Sequence, residues 1–557
     1  MKATKLAFTL ATAVAFMTAC SNNGGQQETS SPSSSAASTD GGSSPSGNTV
    51  QSGAFSRYDQ PVSLAIGKMV STQGSNLPSG DTADDNEYYR YVEKKLNVKV
   101  TNEWRVENPE AYAQKLSVSI ASRQLPDAII VDEKQLHQLA DAGLIEDLTD
   151  VYKDYASPQI KGYYESYGDR VLSRATIDGK LMAFPNTQIG GQQILTWIRQ
   201  DWLDKLNLQE PKTLDELAAV AKAFVDNDPD GNNQKDTYGF LGSAALSGWG
   251  TFWGFDPIFG ALHAYRGQWL RDASGNISYS SILPEMKTAL GKLHDYYQDG
   301  ILDKQFAIRS DQNDQVASGK AGIVFAPWWI PYGVFSDSIK NDPKAEWKPL
   351  SVPFDEKGKF NIYDQNPTAQ FLVVKKGYAH PEAIAKVLNV EYQGIRQLDP
   401  DSKDIYKGLN VNWANWPFTL QIDYENVVYD TYVTLKKAVD AKDPSSLPGE
   451  MKGWYDAIMK NNENPKKDIA AWADSTARFL AAPQTKPDNL NIERNVFFGQ
   501  TKSMDLKWAT LQKLENETFL KIIVGDEPVD KFDDFVKDWK RLGGDQITQE
   551  VAAAVKP

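Results

Sequence analysis

Residues 84–132 read DDNEYYRYVEKKLNVKVTNEWRVENPEAYAQKLSVSIASRQLPDAIIVD, and the changes of hydrophobic period within them decide the fold. DDNEYYRYVEKKL (84–96) repeats its apolar residues at helical spacing, and NVKVTNEW (97–104) alternates like a strand. PEAYAQKLSVSIAS (109–122) returns to helical spacing, and LPDAIIVD (125–132) is a short apolar run of buried-strand type. Just upstream, PVSLAIGKMV (61–70) is another strand candidate. Strand, helix, strand, helix, strand predicts parallel pairing in an α/β layer. Later strands are predicted in GKLMAFP, KAGIVFAPWW and AQFLVVKK, and the chain from about residue 381 reads as mainly helical. The closing stretch PVDKFDDFVKDWKRLGG (528–544) predicts a helix that starts at Pro528, carries Val529, Phe532, Phe535, Val536, Trp539 and Leu542 in one stripe, and stops at Gly543.

Outward from this block, the N-terminus has a different composition. Lys2 and Lys5 precede an uncharged apolar run over 6–19 that ends in MTAC, the pattern of a signal peptide. That run is shorter than the about 20 apolar residues a membrane-spanning helix needs. Cys20 is the only cysteine of the chain. Its small-small-Cys setting resembles a bacterial lipobox, in which the cysteine becomes the acylated first residue. Residues 21–52 are rich in Ser, Gly and Asn, bury too little apolar surface to fold, and predict a flexible tether. The remainder, 55–557, exceeds the size at which single cores stop growing, so at least two domains are expected. A net charge of −14 excludes nucleic acid and an anionic membrane face as natural partners.

Catalytic motifs are scarce. His137, His263, His294 and His380 are far apart in sequence, and the chain has no HExxH, GxSxG or GxxxxGK[ST] pattern. Carboxylate pairs of glycosidase type stay open, because 73 acidic residues offer many. Aromatic residues are abundant, with 15 Trp and 24 Tyr, and they gather in SGWGTFWGFDPIFG (247–260), FAPWWIPYG (325–333) and NVNWANWPF (410–418). Flat aromatic faces suit the C–H faces of sugar rings, and neighbouring Asn, Asp, Gln and Arg suit hydroxyls. Core packing is the alternative for any single Trp. A separate polar stretch, DNDPDGNNQKDTYGF (226–240), concentrates hard oxygen ligands around Gly231. It suits calcium, or else it is an Asx-rich turn with no ion.

LPDAIIVDEKQLHQLADAGLIEDLTDVYKDY (125–155), IRQDWLDKLNLQEPKTLDELAAVAKAFVDNDPDGNNQKDTYGF (198–240), SGKAGIVFAPWW (318–329), HPEAIAKVLN (380–389) and the block 517–551 together resemble family 1 extracellular solute-binding proteins. Within that family the chain is most similar to large Gram-positive lipoproteins grouped with the LplA-type and alginate-binding proteins. The resemblance implies an α/β, two-lobed, periplasmic-binding-protein-like fold of type II. Its lobes are discontinuous, joined by a multi-strand hinge, with a helix-rich C-terminal segment. The implied organisation is a signal peptide over 1–19, lipidated Cys20 and tether over 20–54, and lobe 1 over 55–185 with a returning segment around 365–440. Lobe 2 covers 186–364 with part of 441–557. The implied activity is that of a receptor for an ABC importer, not an enzyme. A monomer, held by lipid on the outer face of the cell membrane, would close around a carbohydrate and present it to permease subunits. Loops at strand ends, STQGSN (71–76) and PNTQIGG (185–191), are the natural contacts. The expected ligand residues are Asn76, Asn186, Gln188, Trp249, Trp253, Trp328, Trp329, Trp413 and Trp416. Matching the family's DPDGN block implies a structural Ca2+ held by Asp228, Asp230, Asn232, the Gln234 carbonyl and Asp236. Thr237 stands where the relatives carry a bidentate glutamate. Rival expectations are a receptor for peptide or another non-sugar solute, a partner of a membrane sensor, and a secreted polysaccharide-active enzyme.

Overall fold

Residues 53–70, 77, 80–248, 251–309, 311–405 and 415–555 are described by the computed structural model. Cys20, the tether, Asn76, Trp249 and Trp413 therefore lie outside the described residues. By its contacts the chain separates Gln51–Pro557 from Met1–Val50.

Strand Val62–Met69 pairs in parallel with Val98–Val106 on one side and with Ala128–Val131 on the other. The connections are the two predicted helices, Glu87–Leu96 and Pro109–Ser122. Each opens on an asparagine, Asn86 or Asn108, whose side-chain oxygen accepts from the first-turn N–H groups, and each closes on a left-handed residue, Asn97 or Arg123. Two later segments complete this sheet. Phe371–Val374 lies antiparallel to Ala128–Val131, and Phe184–Pro185 lies antiparallel to Phe371–Val374. The sheet is thus mixed, with a parallel start read directly from the period changes and antiparallel strands contributed from far along the chain.

A second sheet runs in the order Trp347–Leu350, Leu195–Arg199, Ala321–Ala326, Tyr238–Phe240. Every residue of Leu195–Arg199 and of Ala321–Ala326 is buried, because this sheet is covered on both faces. One face packs against a core containing Trp202, Phe224, Phe240 and Phe519, and the other against Trp197, Phe335, Trp347 and Trp472. The first sheet has its own two cores, one around Tyr88, Tyr164 and Trp416 and one around Leu136 and Phe371. Two sheets with separate hydrophobic cores make two α/β lobes.

The chain crosses between them at 186–194 and again at 351–370. On the second crossing Phe360–Tyr363 pairs in parallel with Leu490–Glu493. The lobes touch through Lys134, whose ammonium lies 2.9 Å from the Asp505 carboxylate, and through Arg174, which donates to the Phe498 carbonyl at 3.2 Å.

The C-terminal part is mainly helical, as its periodicity predicts, with Lys502–Val524 as its longest helix. Two details differ from the sequence expectation. Gly543 (φ 137°) does not end the structure but joins Lys531–Trp539 to a further helix, Asp545–Ala554, through one π-helical turn. Leu542 consequently leaves the buried stripe of Phe532, Phe535 and Trp539 and is 38% exposed. Among the described residues, no helix is long and apolar enough to cross a membrane.

Candidate functional site

Strand Ala321–Ala326 ends near the crossover segments, and the chain turns there through Pro327, Trp328 and Trp329. A cavity of about 450 Å3 opens at this point. Trp328 and Arg478 wall it from the second lobe, Arg396 and Asp423 from the first, with Glu450, Trp454 and the crossover residue Ile189 between. Trp328 is only 8% exposed, and its indole Nε1 is buried without an acceptor among the described residues. The Arg478 guanidinium lies 3.4 Å over the centre of the Trp454 ring, within cation–π range. Its Nε is 3.6 Å from Asp474, whose carboxylate also accepts from the Tyr332 hydroxyl at 2.8 Å. Arg396 donates from one nitrogen to both Glu450 oxygens, at 3.1 and 3.2 Å, and from another to Asp423. Burial raises the pKa of Asp423 above the usual carboxylate value although Arg396 opposes it, and burial likewise raises Asp474.

Ile189 also borders a second, smaller cavity of about 120 Å3 on the hinge. Tyr167, Gln188, Gln192, Tyr363, Glu425 and Tyr429 are among the side chains that line it. Its charges are largely paired: Arg170 contacts Glu425 and lies 3.7 Å from Asp364, and Arg494 lies 3.0 Å from the same aspartate. Lys486 is poised 5.5 Å over Tyr429. Tyr363 and Asp364 in turn border a third cavity, of about 440 Å3, containing Trp269 and Trp508 with ring centres 6.1 Å apart. Three cavities linked by shared walls thus follow the crossover segments, furnished with aromatic rings, amides and paired charges.

The structure distributes the predicted ligand residues unequally. Trp328 lines the cavity of about 450 Å3 and Gln188 the hinge cavity. Trp329 is half-buried, and its Nε1 donates to Gln192 of the hinge cavity at 3.1 Å. Trp253 is 5% exposed, with a left-handed backbone (φ 66°), and packs in the same core as Trp328. Asn186 is 4% exposed and acts as a splice. Its side-chain oxygen accepts from the Thr368 hydroxyl at 3.0 Å and from the Ala369 and Gln370 amides at 2.9 Å each, tying the two crossovers together. Trp416 departs from the expectation. It is fully buried in the first lobe against Tyr88 and Tyr91, ring centres at 5.0 and 6.0 Å, where no solute reaches it. Arg266 and Arg271, the basic residues near the 247–260 cluster, bind within the protein, Arg266 to Glu515 at 2.8 Å and Arg271 to the Val555 carbonyl at 2.6 Å. Sequence reading missed Arg396, Asp423, Trp454 and Arg478. Three of these sit in or beside helices whose local pattern signals packing, and only the tertiary fold brings them together.

The polar stretch 226–240 is an exposed loop beyond helix Leu214–Asn227, which ends at left-handed Asp228 (φ 46°). Asn232 occupies its middle, donating its Nδ2 to Asp230 and to Asp236 at 2.9 Å each. The Asn233 amide donates to Asp228 Oδ2 at 2.9 Å, while Asp228 Oδ1 is shielded from solvent and receives no donor. Lys320 holds Asp236 from outside at 2.9 Å. Burial and the adjacent Asp228 push the Asp230 carboxyl up to about 6. Three crowded carboxylates, one of which has the orphaned Asp228 Oδ1, and one amide oxygen form a donor set that fits a hard divalent cation. Thr237 is buried with its hydroxyl unpartnered. Elsewhere among the described residues, His263, Asp355 and Glu356 lie close enough to share an ion. The buried Asp355 is already satisfied there by Asn361 and by the Lys357 and Lys359 amides.

Comparison with known proteins places these features in a wider context. The family described as bacterial extracellular solute-binding protein matches residues 79–390. The chain is 23% identical over 481 residues to the polygalacturonan/rhamnogalacturonan-binding protein YtcQ of Bacillus subtilis, covering 84% of this chain and 87% of that protein. It is 27% identical over 475 residues to lipoprotein LipO of the same organism, covering 83% and 87% respectively. Among solved structures, the Streptococcus pneumoniae ABC-transporter substrate-binding protein FusA, as an EF-hand mutant in complex with fructo-nystose, superposes with a TM-score of 0.58. That match has 17% identity and covers 88% of this chain and 98% of that one. It shows a shared two-lobed fold.

Proposed function

Because the chain belongs to the bacterial extracellular solute-binding protein family, we propose that it captures an oligosaccharide between its lobes and hands it to the permease of an ABC importer. Membership of this family makes binding, and not turnover, its activity. The observation that carries the carbohydrate reading is the cavity of about 450 Å3 at the lobe junction, which the aromatic side chains Trp328 and Trp454 line and where the buried Trp328 Nε1 lacks an acceptor among the described residues. Sugars meet both demands, with C–H faces for the rings and oxygens for the orphaned donor. The names of YtcQ and of the FusA complex, each referring to a glycan, agree with this reading.

Lobe 1 comprises 55–185 with the returning segment around 365–440, and lobe 2 comprises 186–364 with part of 441–557. Within the returning segment, helix Val427–Ala441 contacts the second lobe, since Val428 packs in the core of Trp328 and Trp472. Closure of the lobes on the ligand would create the form a permease recognises. Cys20, following the signal sequence, would be acylated and hold the protein as a monomer outside the membrane, a reading that the lipoprotein relative supports. In the loop, Asp228, Asp230, Asn232, Gln234 through its carbonyl and Asp236 would hold calcium, which pins the end of helix Leu214–Asn227. The FusA structure, named for an EF-hand, is in keeping with this assignment.

The test is a thermal-shift screen of the Gln51–Pro557 unit, with calcium, against oligosaccharides and peptides, since a ligand bound only by the folded state raises its Tm. A rise with one glycan family and no hydrolysis product is expected. A rise with peptides alone would overturn the carbohydrate assignment, and glycan turnover would overturn the receptor.

A further inference from the structure

One helix from each lobe contributes its first turn to the place where the lobes touch. Glu133 and Lys134 open helix Glu133–Asp141, which is fixed to the first lobe by Leu136 and Leu139, buried in the core that contains Phe371. Asp505 lies in the first turn of Lys502–Val524, which is fixed to the second lobe by Met504, Leu511 and Phe519. The Lys134 ammonium and the Asp505 carboxylate are 2.9 Å apart, and Gln500 donates to the same carboxylate at 3.1 Å. We propose that Lys134 and Asp505 form a latch between the lobes, which favours the closed form and slows the escape of a bound solute.

The charges explain why this pair forms across the lobes. A helix N-terminus carries partial positive charge, so it favours Asp505 and disfavours Lys134. The neighbouring Glu133 is engaged by Arg174, and the anion that compensates Lys134 comes from the other lobe. The hydrogen bond from Lys134 in turn holds the Asp505 carboxyl below the usual carboxylate range. Arg174 adds a second stitch: it donates to the Phe498 carbonyl at 3.2 Å, and its guanidinium lies 5.8 Å from the centre of the Phe498 ring. The preceding Val496 and Phe497 pack on the core of the second lobe, so residues 498–505 are gripped by the first lobe at both ends.

The pair is built to break as well as to form. The Lys134 and Asp505 side chains are 49% and 37% exposed, so water can receive both charges when the lobes part and neither is stranded in a core. An exposed pair of this kind shifts a two-state ratio by about 2- to 5-fold. Latch and solute favour the same arrangement, and each therefore strengthens the other. The inference rests on receptor activity and not on which solute is bound.

The experiment measures the separation of the lobes by pulsed dipolar spectroscopy on the Gln51–Pro557 unit, which lacks Cys20, with spin labels at Gln138→Cys and Lys513→Cys, exposed positions on the two helices. Without solute, Lys134→Ala is expected to lower the ratio of short to long distances by about 2- to 5-fold, and added salt is expected to do the same to the unsubstituted pair. Lys134→Asp combined with Asp505→Lys should bring the short distance back, whereas either reversal alone should not. An unchanged distribution in Lys134→Ala, or no recovery in the double reversal, would overturn the latch. For the glycan that raises Tm in the screen above, Lys134→Ala should speed release by the same factor and leave the association rate as it was. Slower association with unchanged release would place Lys134 on the ligand and overturn the latch as well. If no glycan binds, the carbohydrate reading falls and the distances still decide the latch.

Discussion

Trp328 and Trp416 both come from aromatic-rich, proline-containing stretches, yet their surroundings give them opposite duties. Both indole Nε1 groups are buried without an acceptor among the described residues, but Trp328 lines a cavity, whereas Trp416 is enclosed by Tyr88 and Tyr91. Replacing each by alanine separates the two roles. Trp328→Ala should weaken glycan binding by about 30-fold or more, as truncation of a buried aromatic anchor does, while denaturant unfolding changes less. Trp416→Ala should cost about 3–5 kcal/mol of stability through the cavity it leaves, with glycan affinity of the folded fraction unchanged. A loss of affinity in the second variant without a loss of stability would reverse the assignment. No property of either tripeptide context distinguishes them, because a ring's exposure is set by residues more than three hundred positions away, as with Trp416 beside Tyr88.

At the scale of elements, two short interactions hold long helices in place. The 228–236 loop follows helix Leu214–Asn227 and crowds carboxylates that repel one another unless a cation joins them. Calcium at a hundredfold excess over its Kd should add about 2.7 kcal/mol of stability. Chelation should remove the gain, and Asp228→Ala should abolish it while leaving the calcium-free melting temperature nearly as it was. An unchanged Tm on chelation would leave the loop a polar turn.

At the other end of the chain, Glu550 on helix Asp545–Ala554 accepts from the Ser503 amide at 3.0 Å and the Ser503 hydroxyl at 2.6 Å, in the first turn of Lys502–Val524. The hydrogen bonds from Ser503, and from Thr501, hold its carboxyl at about 2, below the ordinary 4.5. A carboxylate depressed in the folded state contributes its stabilisation above the unfolded value and loses it as pH falls. The stability difference between the wild type and Glu550→Gln should therefore be full above about pH 4.5 and shrink toward pH 2 in acid-unfolding titrations. A difference that persists at pH 2 would count against the carboxylate as its source. The expected stop at Gly543 shows the limit of reading elements alone. Glycine permits φ 137°, but whether the chain then ends or enters another helix depends on the surface that Ile547 and Val551 find to bury.

For the whole molecule, a lipid anchor at Cys20 and a tether over 21–52 would keep the two lobes close to the membrane. Cys20→Ser should move the protein from the membrane fraction to the medium of the producing bacterium, because one amphipathic anchor is lost and no spanning helix exists among the described residues to replace it. Retention in the membrane fraction after detergent-free washing would refute the anchor.

The sequence by itself determined the alternation of strands and helices from residue 61 to 132, the helical C-terminal part, the polar loop around Gly231, and through several combined motifs the family. Each is written in short-range periodicity or in residues adjacent along the chain. Only the tertiary structure decided that Phe371–Val374 and Phe184–Pro185 complete the first sheet, that Asn186 splices two crossovers, and that Arg396, Asp423, Trp454 and Arg478 meet Trp328 around one cavity. The physical reason is that a site between lobes is built from residues far apart in sequence. Their local patterns report only which side of each element is buried, while the identity of the neighbour across the gap is set by how two hydrophobic cores pack.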